Sequence, residues 1–182
     1  TGSVCRHFHL SLQSGCDATL KAMNRKYDTA RFYEAAELLR KYFPGCGLTA
    51  DLIVGFPGET EEHQRETLKF LEKVAFSDVH VFPYSRRPGT PADKMPDQID
   101  RAEKARRSKQ ARTVAEKTRK AYLESAVGTV LPVLFETKED GLWQGHSDTY
   151  LLVRAEGDDL RGQLRNVEIT GVSGDTLVGK TV

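Results

Sequence analysis

Asp51-Leu52-Ile53-Val54-Gly55-Phe56-Pro57-Gly58-Glu59-Thr60 is the stretch on which the fold turns. A short apolar run passes straight into a Gly-Phe-Pro-Gly turn, and a helix-like segment follows. Two runs of the same kind lie on either side. One is His7-Phe8-His9-Leu10-Ser11-Leu12-Gln13-Ser14-Gly15-Cys16-Asp17; the other is Val79-His80-Val81-Phe82-Pro83-Tyr84-Ser85-Arg86-Arg87-Pro88-Gly89-Thr90-Pro91. Each reads as a strand ending in a polar loop, and helix-like segments separate them. That alternation predicts an α/β fold with a parallel sheet or barrel, whose ligands sit at the carboxyl ends of the strands.

The first strand has period two: Phe8, Leu10 and Leu12 on one side, His9, Ser11 and Gln13 on the other. The apolar set is expected to meet helices and the polar set to face the lumen of a barrel. The two later strands are apolar on both faces, which predicts a sheet covered on both sides. Asp17 is a good N-cap for a short helix over 18–24. Thr29 opens a longer helix with Phe32, Ala36, Leu39 and Phe43 on one face, stopped by Pro44-Gly45. The next begins near Thr60, with Glu59, Glu61 and Glu62 at its positive end and Leu68, Leu71 and Val74 facing inward.

Three prolines and a glycine mark 88–96 as a loop. A strongly basic helix is then expected over 98–125, lying on the first domain through a thin stripe of Ala105, Ala111, Val114, Ala115 and Tyr122. Its basic face is either solvated or set against a phosphate backbone. Beyond Gly128 short strands at 129–136, 142–146, 150–153, 162–170 and 176–179 are punctuated by Gly and Asp, the pattern of a small OB-type barrel. Two domains are therefore expected, 1–125 and 126–182.

The chain has 182 residues, 38% hydrophobic and 29% charged, with a formal net charge of +1. Bulk charge gives no argument for a nucleic-acid partner; only local charge can. No apolar run is long enough for a transmembrane helix, so no membrane partner is expected. Thr1-Gly2-Ser3-Val4 is neither a signal peptide nor a Met-initiated start, and is read as a cloning remnant or internal truncation. Cys5, Cys16 and Cys46 have no metal or redox spacing and are expected to be free thiols in a reducing, cytoplasmic setting.

Candidate chemistry is sparse. Gly55-Phe56-Pro57-Gly58 looks superficially like a phosphate cradle. It lacks the Gly-Lys-Ser/Thr of a P-loop, and three glutamates follow closely, so it reads as a strand-to-helix turn. His7, His9 and His80 lie in strands, where a lone histidine is more often structural. No nucleophile–base or paired-carboxylate pattern stands out. The residues describe a ligand-binding surface without an evident catalytic engine.

In order and spacing the three runs resemble the radical S-adenosylmethionine methylthiotransferases. The resemblance rests on Leu10-Ser11-Leu12-Gln13-Ser14-Gly15-Cys16-Asp17, on 51–60, and on Tyr84-Ser85-Arg86-Arg87-Pro88-Gly89-Thr90-Pro91-Ala92. Ser14-Gly15-Cys16-Asp17, Met23-Asn24-Arg25-Lys26-Tyr27 and His80-Val81-Phe82-Pro83-Tyr84-Ser85 lean towards the branch acting on threonylcarbamoyladenosine in tRNA. Branches acting on isopentenyladenosine or a ribosomal protein are close alternatives. Residues 128–182 resemble the family's TRAM domain, an RNA-gripping barrel. The implied fold is the C-terminal part of a radical-SAM (β/α) partial barrel followed by a small all-β, OB-like TRAM barrel.

The family's Cys-x-x-x-Cys-x-x-Cys, which binds the catalytic [4Fe–4S] cluster, is not in this sequence, nor is the domain carrying three further cysteines. Since the cluster supplies the electron that cleaves S-adenosylmethionine, the resemblance implies a fragment inactive alone. Its partners would be the missing N-terminal half of the enzyme and the anticodon region of tRNA. An edge at the first strand also invites a dimer. By the same resemblance Ser11, Gln13 and Ser14 meet the cofactor's ribose and methionyl end. Ile53, Val54, Gly55 and Phe56 lie beside its adenine, and Phe82, Tyr84 and Ser85 near the adenine edge. For RNA the candidates are Arg86, Arg87, Arg106 and Arg107, with Trp143 and Arg154 in the barrel; Tyr150 and Phe135 are further aromatics to weigh, Phe135 as core. A stand-alone RNA-binding module is the alternative from another class.

Overall fold

The computed structural model describes residues 4–182. Its residues fall into two compact units. An α/β unit holds His9–Pro44 and Leu48–Thr118; a barrel unit holds Arg119–Val182, Gly45–Gly47 and the residues up to Phe8. The division falls inside the last helix, between Thr118 and Arg119, whereas a cut at 125/126 follows the end of that helix.

The elements of the first half are β1 (His7–Gln13), α1 (Asp17–Ala22), α2 (Thr29–Tyr42), β2 (Gly47–Val54), α3 (Glu61–Val74), β3 (Asp78–Pro83), a 3₁₀ turn (Pro91–Lys94) and α4 (Arg101–Ser125). The strands lie in the order β1-β2-β3, and β2 runs parallel to β3 with Asp51 opposite His80 and Ile53 opposite Phe82. Leu12, Ala50, Leu52, Val54, Val79 and Val81 are buried, as are Phe32, Phe70 and Phe76, which pack on one another. The opposite face is open: Phe82 is 51% exposed and His80 is exposed. The expectation of a sheet covered on both sides is thus corrected. Apolar residues on both faces of β3 do not make cover, which depends on what packs against the strand.

Local chemistry explains the helix ends. The Asp28 carboxylate accepts the Arg31 N–H, and Thr60 and His63 close a reciprocal capping box at the start of α3. Asp17 is not the cap of α1. It is the first helical residue, and its carboxylate accepts the Thr29 N–H, so it satisfies an orphan donor of α2 instead. On α3 the buried set is Gln64, Thr67, Phe70, Leu71 and Val74, with Leu68 only half-buried. On α4 Ala105 is exposed, and Arg107, Ser108, Ala111, Ala115 and Thr118 form the buried stripe. No described helix is long and apolar enough to cross a membrane.

The second half contains β4 (Val130–Glu139), β5 (Leu142–Ser147), β6 (Leu152–Glu156), β7 (Leu164–Ser173) and β8 (Thr176–Thr181). They close as β4-β5-β6-β8-β7, with β6 and β8 parallel and the other pairs antiparallel. Period-two alternation sends Leu131, Val133 and Phe135 inward, and Leu123 of α4 joins the same core. Gly145 is dictated by close approach: a Cβ there would meet the Leu134 carbonyl oxygen at 2.0 Å. The mixed α/β sheet followed by a closed five-stranded barrel is the fold class expected from the sequence.

Candidate ligand cleft

The carboxyl ends of the three parallel strands meet at a cleft of about 580 Å³, within the range of small-ligand sites. β1 ends in a strained turn. The Ser14 N–H donates back to the Leu12 carbonyl at 2.8 Å around Gln13, whose φ is +66°. A γ-turn with positive φ is the rare form, and strain of this kind concentrates at functional sites. Gln13 lines the cleft, and its Oε1 accepts from Arg25 Nη2 at 3.0 Å. Tyr27 donates its hydroxyl to the Ser11 and Leu12 carbonyls. Residues 23–27 therefore secure the end of β1, and burial raises the Tyr27 phenol above its ordinary pKa.

β2 runs into Gly55, with φ +71°; a Cβ here would meet Lys104 Cγ at 2.2 Å. The Gly55 N–H is taken by the buried Glu59 carboxylate at 2.9 Å, which leaves that amide nothing to offer a phosphate. Arg107 Nη1 donates to Glu59 Oε1 at 2.7 Å and to the Glu59 carbonyl at 2.8 Å, and its Nε reaches Glu103 at 2.7 Å. Burial alone would lower the Arg107 pKa; its hydrogen bonds to Glu59 and Glu103 outweigh that and raise it. β3 leads into Tyr84, whose ring meets Phe56 edge-on at 5.2 Å and whose carbonyl accepts Lys104 Nζ at 3.1 Å. Beyond it Thr90 caps the 3₁₀ turn, and Arg86 pairs with Asp93 at 2.9 Å.

Of the residues singled out for a cofactor, Gln13, Ile53, Phe82, Tyr84 and Ser85 line this cleft. Val54 and Ser14 are buried on the other side of their strands, Ser14 beside Thr67. Gly55 and Phe56 shape the loop behind the cleft, and Ser11 is exposed but not on its wall. Asp51, Pro83, Thr90 and Ala92 belong to the wall and were missed. Asp51 was legible in principle, since it shares a face with Ile53 at a two-residue spacing.

The residues singled out for RNA scatter. Arg87 lines the cleft and has no ion-pair partner among the described residues. Arg106 is paired with Glu103 and Glu61, which raise its pKa, and Arg154 with Glu139 at 3.1 Å. Arg107 and Trp143 are corrected as contact residues: 5% and 7% exposed respectively, they have no face for a phosphate or a base. Phe135 is core, as expected. The aromatic that the barrel does present is Tyr150, 65% exposed, with His7 and His146 stacked at 5.0 and 4.9 Å.

Strand-end loops converging on a nucleoside-sized cleft define a class of α/β ligand-binding site, and residues 1–71 match the Radical SAM superfamily. The chain is 38% identical over 172 residues to the threonylcarbamoyladenosine tRNA methylthiotransferase MtaB of Bacillus subtilis (strain 168), covering 91% of this chain and 38% of that protein. It is 39% identical over 186 residues to a tRNA-2-methylthio-N(6)-dimethylallyladenosine synthase of Thermoanaerobacter sp. (strain X514), covering 98% of this chain and 39% of that one. A synthase of the same name from Nitratidesulfovibrio vulgaris (strain Hildenborough) is 36% identical over 187 residues, covering 98% and 42%. Over nearly its whole length the chain is thus similar to radical-SAM tRNA methylthiotransferases. It spans about two fifths of the length of the curated relatives it matches.

An iron–sulfur cluster does not fit the residues described. No group of three or more His, Cys, Asp or Glu among them is placed to hold a metal, and burial, with a hydrogen bond to Glu66, raises the Cys16 thiol. S-adenosylmethionine fits better, because the cleft joins an apolar wall to a few convergent polar groups.

Proposed function

We propose that this chain is the cofactor-cleft and RNA-binding portion of a tRNA methylthiotransferase, with threonylcarbamoyladenosine beside the anticodon as the favoured substrate. The observation that carries the reading is the convergence of Gln13, Ile53, Phe82, Tyr84 and Ser85 on one cleft in a chain similar to these methylthiotransferases. In this reading Ile53 and Phe82 supply the apolar wall against the adenine of S-adenosylmethionine. Gln13 and Ser85 supply hydrogen bonds, and Arg87 stands at the mouth for tRNA phosphate. Bound S-adenosylmethionine, reduced by a cluster held elsewhere in the enzyme, supplies the radical chemistry. The remainder of the barrel would pair with β1, an edge strand of the three-stranded sheet; a second copy at that edge is the competing arrangement. The setting is cytoplasmic, where tRNA is modified.

The test is mass spectrometry of tRNA nucleosides and of ribosomal proteins from cells lacking the gene. Loss of the methylthio group from threonylcarbamoyladenosine alone supports the reading. Loss from isopentenyladenosine moves the substrate to the other tRNA branch, and loss from a ribosomal protein moves it to the third. Unchanged methylthiolation overturns the enzymatic reading in favour of an RNA-binding module, to which the exposed Tyr150 on an OB-type barrel already lends weight.

A further inference from the structure

The open face of the parallel sheet carries a polar row that neither the cofactor reading nor the RNA reading uses. Asp51 on β2 stands opposite His80 on β3 and beside His9 on β1. His9 is engaged at both ring nitrogens, Nδ1 with Thr49 Oγ1 at 3.0 Å and Nε2 with Asp51 Oδ2 at 3.4 Å. The His9 and His80 rings are stacked at 6.1 Å and 30°. His9 and Asp51 remain 41% and 36% exposed in their side chains. A half-exposed contact of this kind adds little to stability, so folding gives little reason for the row. The carboxylate has roughly four acceptor positions, and among the described residues its one ion-pair contact is the 3.4 Å approach to His9.

Asp51 also lines the cleft, together with Ile53 and Phe82 one strand step away. Two residues along a strand span about 7 Å. The cleft therefore has two rungs: an apolar one, Ile53 and Phe82, suited to the face of a flat ring, and a polar one, Asp51 flanked by two imidazoles. We propose that Asp51, oriented by His9, against whose ring His80 stacks, is the hydrogen-bond acceptor that anchors a donor group of a purine nucleoside lying on Ile53 and Phe82. The proposal rests on the reading of this cleft as a nucleoside site and adds its polar anchor. The donor is either the exocyclic amine or a ribose hydroxyl, and the His9 imidazole, with His80 stacked against it, holds the carboxylate in place for it.

Adenosine is titrated into the 182-residue chain by calorimetry, with Asp51→Asn, His80→Ala and Phe82→Ala variants checked for native circular dichroism. Asp51→Asn is expected to weaken binding at least tenfold, His80→Ala several-fold and Phe82→Ala at least tenfold. Purine riboside, which lacks the amine, and 2′,3′-dideoxyadenosine identify the donor: with one of them the Asp51→Asn penalty disappears. Binding lost in Phe82→Ala but unchanged in Asp51→Asn and His80→Ala overturns the anchor and leaves the cleft reading intact. A penalty that persists with both analogues also overturns it. Absence of adenosine binding to the unsubstituted chain overturns both.

Discussion

Replacing Arg107 by methionine tests the internal architecture most severely. The guanidinium lies between the Glu59 carboxylate, 3% exposed, and Glu103. Methionine keeps much of the length and removes every donor, leaving Glu59 charged, buried and held only by the Gly55 N–H. Removing one partner of a buried pair costs about 3–5 kcal/mol, against a total stability of about 5–15 kcal/mol. With a urea slope of about 2 kcal/mol/M, the midpoint should fall by roughly 1.5–2.5 M. Circular dichroism at 222 nm is the suitable signal, because α2, α3 and most of α4 belong to the α/β unit. Trp143 is the single tryptophan and sits in the barrel core, so its fluorescence follows the barrel unit in the same titration. Adding Glu59→Gln should recover part of the loss, because the stranded charge goes with it. A single variant within about 0.5 kcal/mol of the parent, or a double variant no better than the single, would refute the account of Arg107 as the buried counter-charge that fixes the Gly55–Gly58 turn.

Other expectations follow from the same contacts. Gly55→Ala combines a positive φ with a 2.2 Å approach to Lys104 Cγ; overpacking of this kind costs about 1–3 kcal/mol, and no loss on urea denaturation would show that α4 yields freely. Glu103 is held down to about 2 by Arg106 and Arg107. Its folded pKa lies below the unfolded one, so its stabilisation is present above the ordinary carboxylate range and fades as pH falls towards 2; Glu103→Gln should flatten that part of the pH–stability curve. Tyr122 is pushed up to about 12, chiefly by burial, and donates to the Gly45 carbonyl at 2.9 Å. The unfolded phenol ionises first, so stability should fall from about pH 10 towards 12, a fall that Tyr122→Phe removes. Tyr150→Ala should weaken binding of an anticodon stem-loop RNA about 5- to 150-fold, the worth of one stacked base; Trp143→Phe should leave that affinity unchanged.

Much of the architecture was legible along the chain because its causes are local. Thr60 and the glutamates after it announce a helix start, and Gly45, with φ +72°, lies at the break after α2. Leu131, Val133 and Phe135 alternate with less buried neighbours because a strand turns its side chains over every second residue. Those signals sufficed for the α/β sheet and the small barrel; the five side chains that line the cleft come from the family resemblance and not from local pattern. Tertiary structure decided the charges and the aromatics. In sequence Arg107 is one cation in a basic run; its burial depends on Glu59, 48 residues away. Trp143 and Tyr150 are both aromatics of short β segments, and only closure of the barrel places one in the core and the other at the surface. Asp51 acquires its imidazole neighbours from the order and register of three strands. Backbone preference and hydrophobic period act over a few residues, whereas the surroundings of a charge are set by whichever distant segments the fold brings beside it.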